Sequence, residues 1–146
     1  MVLKLEQNPA LKEIEISVAY PEKNKTVERI ALFLKTVDEQ IECHSGGGVK
    51  MVNISDIYYI ESIDKLAVVF CEKEKIQTRF RLYQLNEKLS DRGFVQISKY
   101  CIINIIKLDR FKPLVNSRIE VLLTNGAKLF INRKYIANLK KRLEND

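Results

Sequence analysis

Tryptophan is absent from the 146 residues, and histidine (1), cysteine (3), proline (3) and glycine (5) are scarce. A single histidine, His44, leaves no pair of imidazoles for catalysis and few zinc ligand sets. Its neighbour Cys43 adds too little to make a metal site. Cys43, Cys71 and Cys101 cannot all pair within one chain, and none stands at Cys-x-x-Cys spacing. A reduced, cytoplasmic setting is therefore expected rather than a disulfide framework. Long hydrophobic runs are missing too. Ile30–Leu34 and Tyr100–Ile106 fall far short of the ~20 residues that cross a bilayer. Lys4 and Glu6 flank Leu5 where a signal peptide would need an apolar core. Secretion and membrane insertion are not expected.

What is present suits a packed domain with a small appendage: 46% of the residues are apolar and 30% charged. The charge is uneven. Residues 1–48 carry 6 basic and 8 acidic side chains, net −2, whereas residues 49–146 carry 19 and 11, net +8. A cationic excess confined to one segment points to a polyanionic partner, nucleic acid first.

Ser45-Gly46-Gly47-Gly48 is the one low-complexity stretch and reads as a seam between residues 1–48 and 49–146. Before it, Glu13–Tyr20 alternates polar and apolar residues as a half-buried strand does. Thr26 is placed to cap a helix whose apolar positions, Val27 through Ile41, keep helical spacing. This strand–helix extension is too small for a core of its own and is a candidate for dimerisation or partner binding. After the seam, Val49–Asn53, Ile57–Ile63, Leu66–Glu72, Ile76–Phe80, Phe94–Ile97, Cys101–Ile105, Arg118–Leu123 and Ala127–Ile131 read as short strands. Asp64-Lys65 and Asn125-Gly126 are hairpin turns, the latter expected to be type I′. Leu82–Leu89 closes near Gly93 as one amphipathic helix, and Asn132 caps another that carries Tyr135, Ile136, Leu139 and Leu143. The expected class is α+β, mostly β, with small antiparallel sheets and short flanking helices.

Catalysis finds little support. There is no phosphate-binding glycine–lysine loop and no dinucleotide fingerprint, and His44 beside a glycine run is badly placed for a nucleophile's base. No enzyme, cofactor, metal or small-molecule substrate is expected. The cations cluster instead at Lys65 in a tight turn, at Lys99 beside Tyr100 between two apolar segments, and at Arg133-Lys134 opening the last helix. Cations at a helix N-terminus oppose its dipole, and a phosphate partner would account for them. Lys140-Lys141-Arg142, at the C-terminal end of that helix, sits where cations are ordinarily favoured.

Three stretches, "ISDIYYIESIDKLAVVF", "RLYQLNEKLSDRGFVQISKYCIINIIKLDRF" and "VLLTNGAKLFINRKYIANLKKRL", together resemble the LytTR DNA-binding domain of bacterial transcription regulators. The likeness covers about residues 50–144, in the family's order. It implies an elongated set of small antiparallel sheets that reads duplex DNA with loops entering successive major grooves. By position, the contacting loops fall on Asp64, Lys65 and Leu66, on Ser98, Lys99 and Tyr100, and on Asn132, Arg133 and Lys134. Ser98 stands where the family often has a larger polar residue, Tyr100 where a small one is usual, and Asn132 for a serine; these departures bear on which bases are read. Asn104, Tyr59 and Ile60 are expected to be structural, with Glu61 orienting a loop. Too few residues precede the domain for a receiver, so the resemblance implies a stand-alone regulator that binds repeated promoter sites, as a homodimer at least on DNA. The alternative is a protein-interaction module that keeps the fold and regulates another protein. Single-stranded RNA binding would need exposed stacking aromatics, of which Tyr100 alone offers itself.

Overall fold

Runs rich in Val, Ile and Tyr after residue 40 become strands, and turn residues between them set their pairing. The computed structural model describes residues 1–145. Helix α1 (Lys25–Thr36) comes first, followed by β1 (Gln40–Ser45), β2 (Gly48–Asn53), β3 (Tyr59–Ile63), β4 (Leu66–Phe70) and β5 (Lys75–Gln77). Then come α2 (Leu82–Leu89), β6 (Phe94–Ser98), β7 (Cys101–Asn104), β8 (Leu108–Pro113), β9 (Ile119–Leu123), β10 (Lys128–Ile131) and α3 (Ile136–Asn145). Seven strands form one sheet in the order β2-β1-β5-β4-β3-β7-β6, and three form a second, β10-β9-β8. All pairings are antiparallel. The fold is mostly β with short helices, as the sequence implies, although the strands gather into one large and one small sheet.

Two apolar clusters flank the large sheet. Ile60, Val69, Ile76 and Ile102 join Leu82, Leu85 and Leu89 of α2 in one of them. Val95, Ile97, Cys101 and Ile103 join Val121, Leu123 and Leu139 in the other, beneath the small sheet and α3. Strand β7 contributes to both clusters, which explains its unbroken burial from Cys101 to Asn104. A strand covered on both faces needs apolar residues at every position rather than at alternate ones. Asn104 is the exception, and it is satisfied: its Nδ2 donates to Ile57 O at 2.9 Å and its Oδ1 accepts from Ile106 N at 3.2 Å. Burial pushes the Cys43 and Cys101 thiols up to about 11 and about 12, so both remain neutral fillers of the core.

Several local expectations give way. Residues 13–20 form no strand and pair with neither sheet, and Ile14 and Ile16 remain exposed. Helix α1 is capped by Asn24, whose Oδ1 accepts from Val27 N at 3.0 Å, rather than by Thr26. It ends at Thr36, since Ile41 and Cys43 are drawn into β1 and the core. The Ser45–Gly48 seam is the turn of the β1/β2 hairpin, with Gly46 and Gly47 at positive φ. His44 accordingly lies within a strand. At the β9/β10 turn only Gly126 has positive φ (89°), and its N–H donates to Leu123 O. That is a three-residue loop closed by a left-handed glycine rather than a type I′ turn.

Candidate nucleic-acid interface

The pairing of β3 with β7 sets the site. Glu61 lies opposite Cys101, so the β3/β4 turn and the β6/β7 turn emerge at the same end of the large sheet. Two strand spacings separate the hairpin tips, about 10 Å. Ser62 N donates to Tyr100 O at 2.8 Å, tying the first turn directly to the second. On the far side of β6, Asn132 N donates to Ile97 O at 2.9 Å and holds the start of the last helical segment against the second turn. Three segments spread from Asp64 to Lys134 thus stand in one row.

Each segment has its own local cause. In the first, Asp64 (φ 51°) and Lys65 (φ 74°) both occupy the left-handed region. A two-residue hairpin needs that geometry to match strand twist, but a lysine takes it up with strain of about 1 kcal/mol or more. The Lys65 side chain is exposed. In the second, Ser98 is half-buried and its Oγ accepts from Tyr100 N at 3.2 Å, so the hydroxyl shapes the turn. Lys99 and Tyr100 are exposed at its tip, with Lys99 Nζ 5.5 Å from the centre of the Tyr100 ring. In the third, Asn132 Oδ1 accepts from Lys134 N at 3.2 Å, and Tyr135 N donates to Asn132 O. Arg133–Tyr135 forms a 3-10 turn that leads into α3, leaving Arg133 and Lys134 exposed.

The row therefore presents Lys65, Lys99, Arg133 and Lys134 with Tyr100, against Asp64 and the half-buried Glu61. The sequence reading missed Arg118, whose guanidinium lies 4.4 Å over the Phe130 ring, two residues before the third segment. The alternation Lys128-Leu129-Phe130 on a half-buried strand was the signal that Phe130 faces outward. Arg142, by contrast, donates from its guanidinium to Ser90 O and braces α3 against the turn after α2. Tyr59 stacks on Phe70, ring centres 4.3 Å apart, and Ile60 is fully buried, both as expected for structural residues.

Electrostatically, the row suits an anion spread over several phosphates rather than one small ligand, because its cations sit on separate exposed turns. Among the described residues, no group of three or more His, Cys, Asp or Glu side chains is placed to hold a metal ion, and no helix is long and apolar enough to cross a membrane.

Comparison with known proteins gives consistent findings. A family model described as the LytTr DNA-binding domain matches residues 47–144. The chain is 29% identical over 115 residues to the sensory transduction protein LytT of Bacillus cereus, a match over 75% of this chain but only 47% of that relative. It is 26% identical over 148 residues to an uncharacterized HTH-type transcriptional regulator of Staphylococcus aureus, covering 98% of both chains. A solved LytTr DNA-binding domain from Bacillus cereus superposes with a TM-score of 0.67 at 20% identity, covering 73% of this chain and 97% of that one.

Proposed function

The chain belongs to the LytTR DNA-binding domain family, and from that membership we propose that it regulates transcription by reading duplex DNA with the three turns that line one end of its large sheet. The observation that carries this reading is the pair of backbone hydrogen bonds, Ser62 to Tyr100 and Asn132 to Ile97, that join three cationic segments into one row. In the proposal the turns enter the major groove. Arg133 and Lys99 reach base edges, most simply guanine O6 and N7, which only the major groove presents as paired acceptors. Lys65, Lys134 and Tyr100 hold phosphate and sugar and fix the register, while Ser98 and Asn132 hold the turns in shape. The strain at Lys65 supports this assignment, since a glycine would serve the hairpin alone. Two protomers bind repeated half-sites.

Selection of genomic fragments on the immobilised protein, followed by sequencing, supplies the operator. On that operator Arg133→Ala should weaken binding by about 1–3 kcal/mol and relax preference at one base pair, with a smaller effect on a scrambled duplex. Equal losses on both duplexes would return Arg133 to the phosphate backbone. Failure to enrich any fragment at moderate salt would reject sequence-specific binding.

A further inference from the structure

Residues 13–18 read Glu-Ile-Glu-Ile-Ser-Val, a pattern that places carboxylates on one side of an extended chain and apolar groups on the other. Yet the segment is unpaired, with Ile14 88% and Ile16 58% exposed. Val18, at the end of the segment, and Tyr20 beyond it line a hollow with Val27 and Leu32 of α1. The segment's free part is a strand without a sheet.

The small sheet offers a sheet edge without a strand. In the order β10-β9-β8, β8 pairs only with β9. An edge of this kind presents a row of main-chain donors and acceptors. Pro113 ends it, a usual way of limiting how far an edge can extend. Because of the irregularity between Leu108 and Arg110, Leu108 and Phe111 share the side of β8 that faces buried Leu123 and Val121, while Arg110 and Lys112 share the opposite side. Phe111 is 41% exposed. Along this edge runs a groove of about 300 Å³, floored by Leu32, Ile105, Leu108, Phe111 and Leu143 and rimmed by Lys25, Arg29 and Arg110. Two acids, Glu28 and Asp109, share that rim.

We propose that residues 13–18 of a second copy of this chain add to the edge of β8 as a fourth strand, with each copy giving a strand and receiving one. Alternation matches on both sides: Ile14 and Ile16 go down beside Leu108 and Phe111, and Glu13 and Glu15 go up beside Arg110 and Lys112. Charge complementarity argues for this occupant, since Glu13 and Glu15 would meet Arg110, which lies opposite the apolar Leu122, and Lys112, whose cross-strand neighbour is Glu120. Main-chain pairing supplies affinity, and the alternate side chains supply register. A reciprocal exchange is self-complementary and closes as a dimer instead of growing into a filament. The proposal deepens the two-protomer reading above and rests on it, but it concerns association without DNA, so its failure leaves the duplex contact untouched.

Sedimentation of the full chain without DNA, at low and tens-of-micromolar concentration, tests it. The expected result is a dimer. Reversing the strand's charges with Glu13→Lys and Glu15→Lys should weaken association about tenfold or more, and adding Arg110→Glu and Lys112→Glu should restore it. All four side chains are exposed, and circular dichroism with a thermal melt checks that each variant keeps the fold, including Lys112→Glu, which lies opposite Glu120. A chain that stays monomeric throughout, a dimer indifferent to the first reversal, or a first reversal not rescued by the second would each overturn the proposal.

Discussion

Lys65 and Asp64 hold left-handed backbone at the tip of the β3/β4 hairpin, positions where glycine or asparagine would sit without strain. At this scale a conformational cost and an interaction proposal can be separated by one substitution. Lys65→Gly removes the strain of the left-handed lysine but adds backbone freedom to the unfolded chain, leaving a net gain of about 0.5 kcal/mol in folding stability. The same change removes a cation from the row and should weaken operator binding severalfold. Urea melts and titration of labelled duplex read the two effects independently; a variant both less stable and fully able to bind would contradict the assignment. Asn104 shows the opposite case of a polar residue spent on structure, its amide closing two backbone groups inside the core.

Among the elements, α1 comes into close approach with the turn after α2. Gly93 ends the turn after α2 in left-handed conformation (φ 82°), and a Cβ built there would meet Leu32 Cδ2 at 2.6 Å. The backbone requires glycine here, and the Leu32 side chain of α1 would have to shift to admit a Cβ. Gly93→Ala is expected to cost about 1–3 kcal/mol, mostly from the left-handed alanine with a smaller part from the displaced Leu32 side chain. In the Leu32→Ala background the contact part disappears, so the double variant should lose less stability than the two single variants added together. Strict additivity in chemical denaturation would show that Leu32 is not what the alanine meets. The groove between α1 and β8, and the edge proposed to take a second copy's strand, both depend on this seating of α1.

For the whole molecule the decisive quantity is the division of charge, net −2 over residues 1–48 and net +8 over residues 49–146. The basic remainder supplies Lys65, Lys99, Arg133 and Lys134 to one end of the large sheet, and on the proposed reading each DNA phosphate neutralised there would release condensed counterions. The logarithm of the binding constant should therefore fall against the logarithm of salt concentration with a slope of about −2 to −4 per protomer. Fluorescence anisotropy over a salt series measures that slope, and a value near zero would refute an electrostatic interface at this surface.

Much of this architecture was legible in the residues alone. Strand runs, the α2 helix, the Asn132 cap and the structural role of Asn104 follow from local periodicity and from the obligation to satisfy a buried amide, which are properties of short stretches. The glycine run was misleading for the same reason: three glycines specify flexibility but not whether a hairpin or a linker uses it, and only the pairing of β1 with β2 settled the matter. Likewise Glu13–Tyr20 carries the pattern of a strand, but a strand exists only where an edge meets it. The sequence by itself determined which residues are cationic, which are turn-forming and which must be buried. That the turns at Lys65, Lys99 and Arg133 stand side by side was decided by strand order and by two long-range backbone hydrogen bonds, because proximity across a sheet depends on the register of distant strands rather than on neighbours along the chain.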